Sequence, residues 1–164
     1  MLQPLKTSLA PLILRFGLAA IFLFHGYLKI GAGHTTEWNP GMNPTLQAVI
    51  AWGEFVCGIA LFFGLFTRIA ALWIAAEMFG AIALVTGDRG FLRIGEGVQG
   101  PEYTAFNFKM VGFEYNFAII VICATLLILG GGGLSLDYFL WGRRKDAVKA
   151  TVQPLASPGL AAVE

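Results

Sequence analysis

Charge is what this sequence has least of. Lys, Arg, Asp and Glu together make up 13% of its 164 residues, against about 25% in an ordinary soluble domain. So little ionic surface excludes a compact globule standing alone in water, and the mean hydropathy of +0.71 agrees. The net charge of +1 and the lack of a dense basic stripe exclude a nucleic-acid partner. Cysteine is almost missing. Cys57 and Cys123 each sit alone in an apolar run, with no Cys-x-x-Cys pair and no haem-attachment motif, and read as buried, unreactive thiols. Histidine is equally scarce: His25 and His34 cannot ligate a membrane haem between facing helices, because His34 falls in a loop. No zinc set, no di-iron Glu-x-x-His pair and no phosphate-binding loop occurs, so no metal is expected.

What the chain does have is long apolar runs. A bilayer core takes about 20 residues of helix. Four segments meet that length: residues 9–30, 45–66, 69–86 and 115–136. Lipid offers no partners to backbone amides, so each must be helical. The fold class is therefore all-α, a transmembrane four-helix bundle over residues 1–142. Residues 143–164 are expected to form a tail, first basic and then disordered. The first run is too long for a signal peptide's apolar region, and no Ala-x-Ala site closes it. It reads as a retained span.

Loops carry the punctuation. Gly31, Gly33, Asn39, Pro40, Gly41, Asn43 and Pro44 fill the first, and Thr45 is the expected cap of the second helix. The stretch 64–68 is a tight turn that makes the second and third helices antiparallel neighbours. The glycine run 130–133 follows a helix and reads as a terminator. Residues 87–113 form a long loop with Phe91, Tyr103, Phe106, Phe108 and Phe113, expected to lie at the membrane interface.

Four crossings put both termini on one side, with Lys6, Arg68, Arg143, Arg144, Lys145 and Lys149. The other side holds Lys29, Arg89, Arg93 and Lys109. The cluster at Arg143 abuts the last span and places both termini in the cytoplasm of a bacterial inner membrane.

Ionisable residues inside spans are the candidates for function, because each costs at least about 2.5–3.5 kcal/mol at the bilayer centre and so faces the bundle interior. They are Arg15, His25, Lys29, Glu54, Glu77, Glu114 and Asp137. At 100° per residue, Lys29 and His25 fall about 40° and 80° round the helix from Arg15, on one face. Glu54 and Glu77 each lie about 13 Å below the outer boundary. One reading makes Arg15, Glu54, Glu77, Arg68 and Asp137 structural ion pairs, with Arg15 reaching toward Glu54 or Glu77. A second makes His25, Glu54, Glu77 and Glu114 a catalytic set that handles protons or a quinone head group. A third is a transport path.

The residues that support these readings also carry a resemblance. Leu14-Arg15-Phe16-Gly17 through Phe24-His25-Gly26-Tyr27-Leu28-Lys29 resembles the opening of the DoxX/DoxD family of small four-span membrane proteins. So do Gly53-Glu54 with Gly58, then Leu61-Phe62-Phe63-Gly64-Leu65-Phe66-Thr67-Arg68-Ile69-Ala70-Ala71, Glu114-Tyr115-Asn116 and Leu134-Ser135-Leu136-Asp137. The resemblance covers residues 11–137. It implies a place among membrane oxidoreductase assemblies, such as thiosulfate:quinone oxidoreductases or thiol-based stress complexes, and carries over no catalytic residue.

The function expected is that of an accessory membrane subunit of a redox complex, possible contact with quinone included, and not of a free-standing enzyme. A purely structural subunit or a small transporter are the alternatives. The chain has no electron carrier of its own and must borrow one. Its partners are then the lipid bilayer and other membrane or periplasmic subunits. The docking residues expected are Trp38, Phe91, Tyr103, Phe106 and Phe108, in two loops longer than a minimal member needs.

Overall fold

Four apolar helices form in the computed structural model, which describes residues 3–31, 39, 41–91 and 112–142. They are α1 (Gln3–Gly31), α2 (Pro44–Phe63), α3 (Thr67–Ala81) and α4 (Glu114–Leu129). No strand occurs among the described residues. α3 runs on through a π-helical turn, Ile82–Thr86, and a 3₁₀ turn, Gly87–Arg89. The stretches Ser8–Gly31, Pro44–Phe63 and Thr67–Thr86 are each long and apolar enough to cross a membrane. α4 is apolar but shorter.

Large apolar side chains cover the outside of the bundle while several polar and charged ones are buried within it. Ile13, Leu84 and Ile128 are 67%, 74% and 77% exposed, while Arg15, Gln47, Glu54 and Asn116 are buried. Water would reject that arrangement, and a bilayer favours it. The interior also holds an apolar core of Leu18, Phe22, Leu61, Ile74, Ile119 and Leu126, with small residues between them. Cys123 belongs to that core and Cys57 packs against it half-buried; neither forms a disulfide.

α1 packs most extensively on α2, and α3 on α4. Glycine sets the first pairing. A Cβ on Gly26 would stand 2.6 Å from the Phe55 backbone nitrogen, and one on Gly58 would stand 2.8 Å from that of Leu23. The two backbones touch there, as small residues allow in membrane helices.

Two helix ends differ from expectation. Asn43, not Thr45, caps α2: its side chain accepts from the Thr45 and Leu46 amides at 2.9 and 3.4 Å. Pro44 then takes the first helical position, where its missing N–H is harmless. The fourth helix stops at Leu129 rather than 136, because Gly130 turns to φ +72° and Gly132 to +75°. A Cβ at Gly131 or Gly133 would collide with Ser135 or Ser8. The glycines thus let the chain pass tightly between α1 and the start of α3. Trp38, Tyr103, Phe106, Phe108 and the tail from residue 143 lie outside the described residues.

Candidate functional site

Polar residues gather at two levels of the bundle, and helix geometry decides which residue joins which. Side chains in a helix lean toward its N-terminus. Lys29, near the end of α1, therefore leans back into the bundle. Glu54, on the antiparallel α2, leans out to meet it. Lys29 Nζ donates to Glu54 Oε1 at 2.7 Å, and Glu54 is 3% exposed. Glu77 on α3 lines the same cavity as Lys29 and Glu54. The Oε2 atoms of Glu54 and Glu77 are both buried without a hydrogen-bond partner among the described residues.

The cluster faces a cavity of about 520 Å³ lined from all four helices. Its size is typical of small-molecule sites. Lys29, Glu54, Glu77, His25, Tyr115 and Asn116 supply the polar edge, and Trp73 with aliphatic residues of α2 and α3 the walls. Gly53 admits the Trp73 ring, whose Nε1 lies 2.5 Å from where a Cβ would be. The π-helical turn contributes Leu84, Val85 and Thr86; such turns interrupt helices most often at functional positions. His25 Nδ1 lies 2.8 Å from the Ile21 carbonyl oxygen. A carbonyl only accepts, so Nδ1 carries hydrogen and the neutral ring keeps Nε2 as an acceptor. Gln47 ties together Met42 and Asn39, which line the cavity, donating to the Met42 carbonyl at 2.8 Å and accepting from the Asn39 amide at 2.9 Å.

Arg15 does not pair with Glu54 or Glu77. It leans toward the start of α1, away from them, and lies 1% exposed against Gly64, where no Cβ could fit. Its guanidinium donates to the carbonyls of Leu134 at 2.7 Å and Leu61 at 3.4 Å. Asp137 is likewise no direct ion-pair partner of Arg68. It accepts from the Phe66 and Thr67 amides at 2.7 and 2.8 Å and so caps α3, while its own amide donates to the Gly64 carbonyl at 2.9 Å. Arg68 donates to the Ile128 carbonyl at 3.1 Å. These contacts tie α1, the α2–α3 turn and the segment after α4 into one knot.

Of the proposed catalytic set, His25, Glu54 and Glu77 share the cavity. Glu114 does not line it; its amide donates to the Phe91 carbonyl at 3.1 Å, and its carboxylate oxygens are buried without a partner. Lys29 is the member that sequence reasoning set apart with the outer groups. Phe91 stacks edge-on against Phe113 and Phe117, at 5.3 and 5.6 Å between centroids, and helps hold the start of α4. It remains 51% exposed. No group of three or more His, Cys, Asp or Glu residues able to hold a metal ion occurs among the described residues.

Comparison with known proteins meets this geometry. The DoxX family model matches residues 10–87, which contain Arg15, Lys29, Glu54 and Glu77. The chain is also similar to the Bacillus subtilis (strain 168) protein named "Putative oxidoreductase CatD": 27% identical over 142 residues, covering 85% of this chain and 92% of that one. No solved structure matches.

Proposed function

For a multi-pass membrane protein whose residues 10–87 carry the DoxX pattern, we propose the role of accessory integral-membrane subunit in a redox complex, with a quinone head group received in the Lys29–Glu54–Glu77 cavity. The membrane is a bacterial cytoplasmic membrane, crossed four times, with both termini inside. The observation that carries this reading is a buried Lys29–Glu54 ion pair, with Glu77 lining the same largely apolar cavity. The named oxidoreductase relative supports the redox context.

The residues fit such a ring. Apolar walls accept its body. Lys29 and Tyr115 are hydrogen-bond donors for a carbonyl oxygen, and the unpartnered Oε2 atoms of Glu54 and Glu77 are acceptors for a hydroxyl. A bound quinone would supply the two-electron, two-proton chemistry that no side chain here can perform. The chain's own part is to orient the ring, exclude water and carry protons. Glu54 and Glu77 can take up and release protons beside the ring, while Lys29 compensates the charge on Glu54. His25 Nε2, at the exposed edge, can relay those protons outward. Electrons must come from a second polypeptide.

The test is purification from native membranes in mild detergent. A co-purifying subunit that carries a flavin, haem or metal centre, and quinone retained with the complex, are expected. The chain alone should turn over no donor. Turnover by the chain alone, or a chromophore bound to it, would overturn the accessory role. A complex without quinone would leave it a structural subunit.

A further inference from the structure

The far end of the bundle holds a second cavity, of about 690 Å³, between the start of α3 and the glycine turn after α4. The redox reading makes no use of it. We propose that this cavity binds the phosphate of an anionic phospholipid, with Arg68 as its principal ligand.

Arg68 is exposed and lines the cavity. A guanidinium carries five N–H donors, and among the described residues Arg68 makes a single donation, from Nη2 to the Ile128 carbonyl. The remaining donors form the planar fork that suits phosphate oxygens. Asp137 also lines the cavity, but its oxygens are engaged by the Phe66 and Thr67 amides of the α3 start and leave the Arg68 fork unoccupied by a carboxylate. Thr67, fully buried, lines the cavity with a hydroxyl that has no hydrogen-bond partner among the described residues. That hydroxyl is a donor in want of an acceptor.

The walls say which phosphate. Phe66 and Trp141, 5.6 Å apart between ring centroids, border the cavity with Tyr138, and Ile69 and Leu129 extend it along the lipid-facing surface. Aromatic rings at a span's end mark the headgroup level. The apolar continuation suits the glycerol and upper acyl chains of a lipid; a free phosphate ion has no use for it. In sequence, Arg143, Arg144 and Lys145 follow Gly142, which lines the cavity. A juxtamembrane basic cluster of that kind draws anionic lipid to the site.

The experiment uses the full chain, delipidated in neutral detergent, with titrations of phosphatidylglycerol, phosphatidylcholine and inorganic phosphate followed by native mass spectrometry. Saturable binding of phosphatidylglycerol, well ahead of phosphatidylcholine, is expected. Arg68→Gln should weaken it about tenfold or more, the scale of one lost charge-assisted hydrogen bond. Arg89→Gln, which removes an equal charge beyond the other end of α3, should leave it unchanged. Because Arg68→Gln also loses the Ile128 contact and could misfold, a phosphatidylglycerol with a photoreactive headgroup is cross-linked to the unaltered chain. Cross-links should fall within residues 66–69 and 129–142. Equal affinity for the two lipids, binding indifferent to Arg68→Gln, cross-links spread over the helices, or inorganic phosphate competing as well as the lipid would each overturn the proposal.

Discussion

Asp137→Ala removes the cap that holds α3 against the end of the bundle. Two short bonds are lost, from the Phe66 and Thr67 amides at 2.7 and 2.8 Å. Bonds to a charged group contribute about 1.5–3 kcal/mol each. The Phe66 side of the cap reaches solvent, so water recovers part of one bond. Loss of an N-cap alone usually costs about 0.5–2 kcal/mol. Between these bounds the expected loss is about 2–4 kcal/mol. At about 2–4 °C per kcal/mol for a chain of this length, the unfolding midpoint should fall by roughly 5–15 °C. Asp137→Asn keeps one acceptor and no charge, and should lose about half as much. The assay is thermal unfolding in mild detergent, followed by circular dichroism. Helix content below the transition should match the parent, since the knot joins helices already formed. If both variants unfold with the parent, Asp137 is not holding α3, and the account of the knot is wrong.

Lys29→Met should strand Glu54 as an unpaired buried carboxylate, at a cost of about 3–5 kcal/mol. Adding Glu54→Gln should recover much of that loss, and a double-mutant cycle in detergent measures the coupling; a coupling of zero would mean that the pair faces water. Gly26→Val puts side-chain atoms where the Phe55 backbone stands 2.6 Å from a Cβ. Overpacking costs about 1–3 kcal/mol, and disulfide trapping between cysteines placed on α1 and α2 should report the separation; trapping at the parent rate would refute the close contact. A reporter fused after Glu164 should be active only if it is a cytoplasmic one. Activity of a periplasmic reporter at that point would reverse the orientation.

The helices were legible because their apolar runs match bilayer thickness and because glycine and proline break them. The end of α4 was misplaced because hydropathy continues past Gly130, whereas the backbone turns there at φ +72°. The α2 cap was missed by two positions, although Pro44 marked the first turn. The charged residues were legible as buried, but their partners were not. Angular position put Arg15 and Lys29 on one face of α1. The tilt of side chains toward the helix start then sends Lys29 to Glu54 and Arg15 to the Gly64 turn. A depth count that ignores this tilt pairs the wrong residues. The Asp137 cap spans 70 residues from Thr67, and no local pattern announces a contact that arises only when α4 has been placed. Glu114 illustrates the converse: it neighbours Tyr115 in sequence, yet only Tyr115 and Asn116 reach the cavity.

The central claim is that the Lys29–Glu54–Glu77 cavity receives a quinone ring, and photolabelling tests it most directly. The chain, in vesicles with its partners, is irradiated with an azido-substituted quinone and the labelled peptides are mapped by mass spectrometry. Label concentrated within residues 73–86 and 115–116, displaced by excess unlabelled quinone and reduced in Glu54→Gln, is the predicted result. Label spread over the lipid-facing residues of all four helices, and not displaced by quinone, would contradict it.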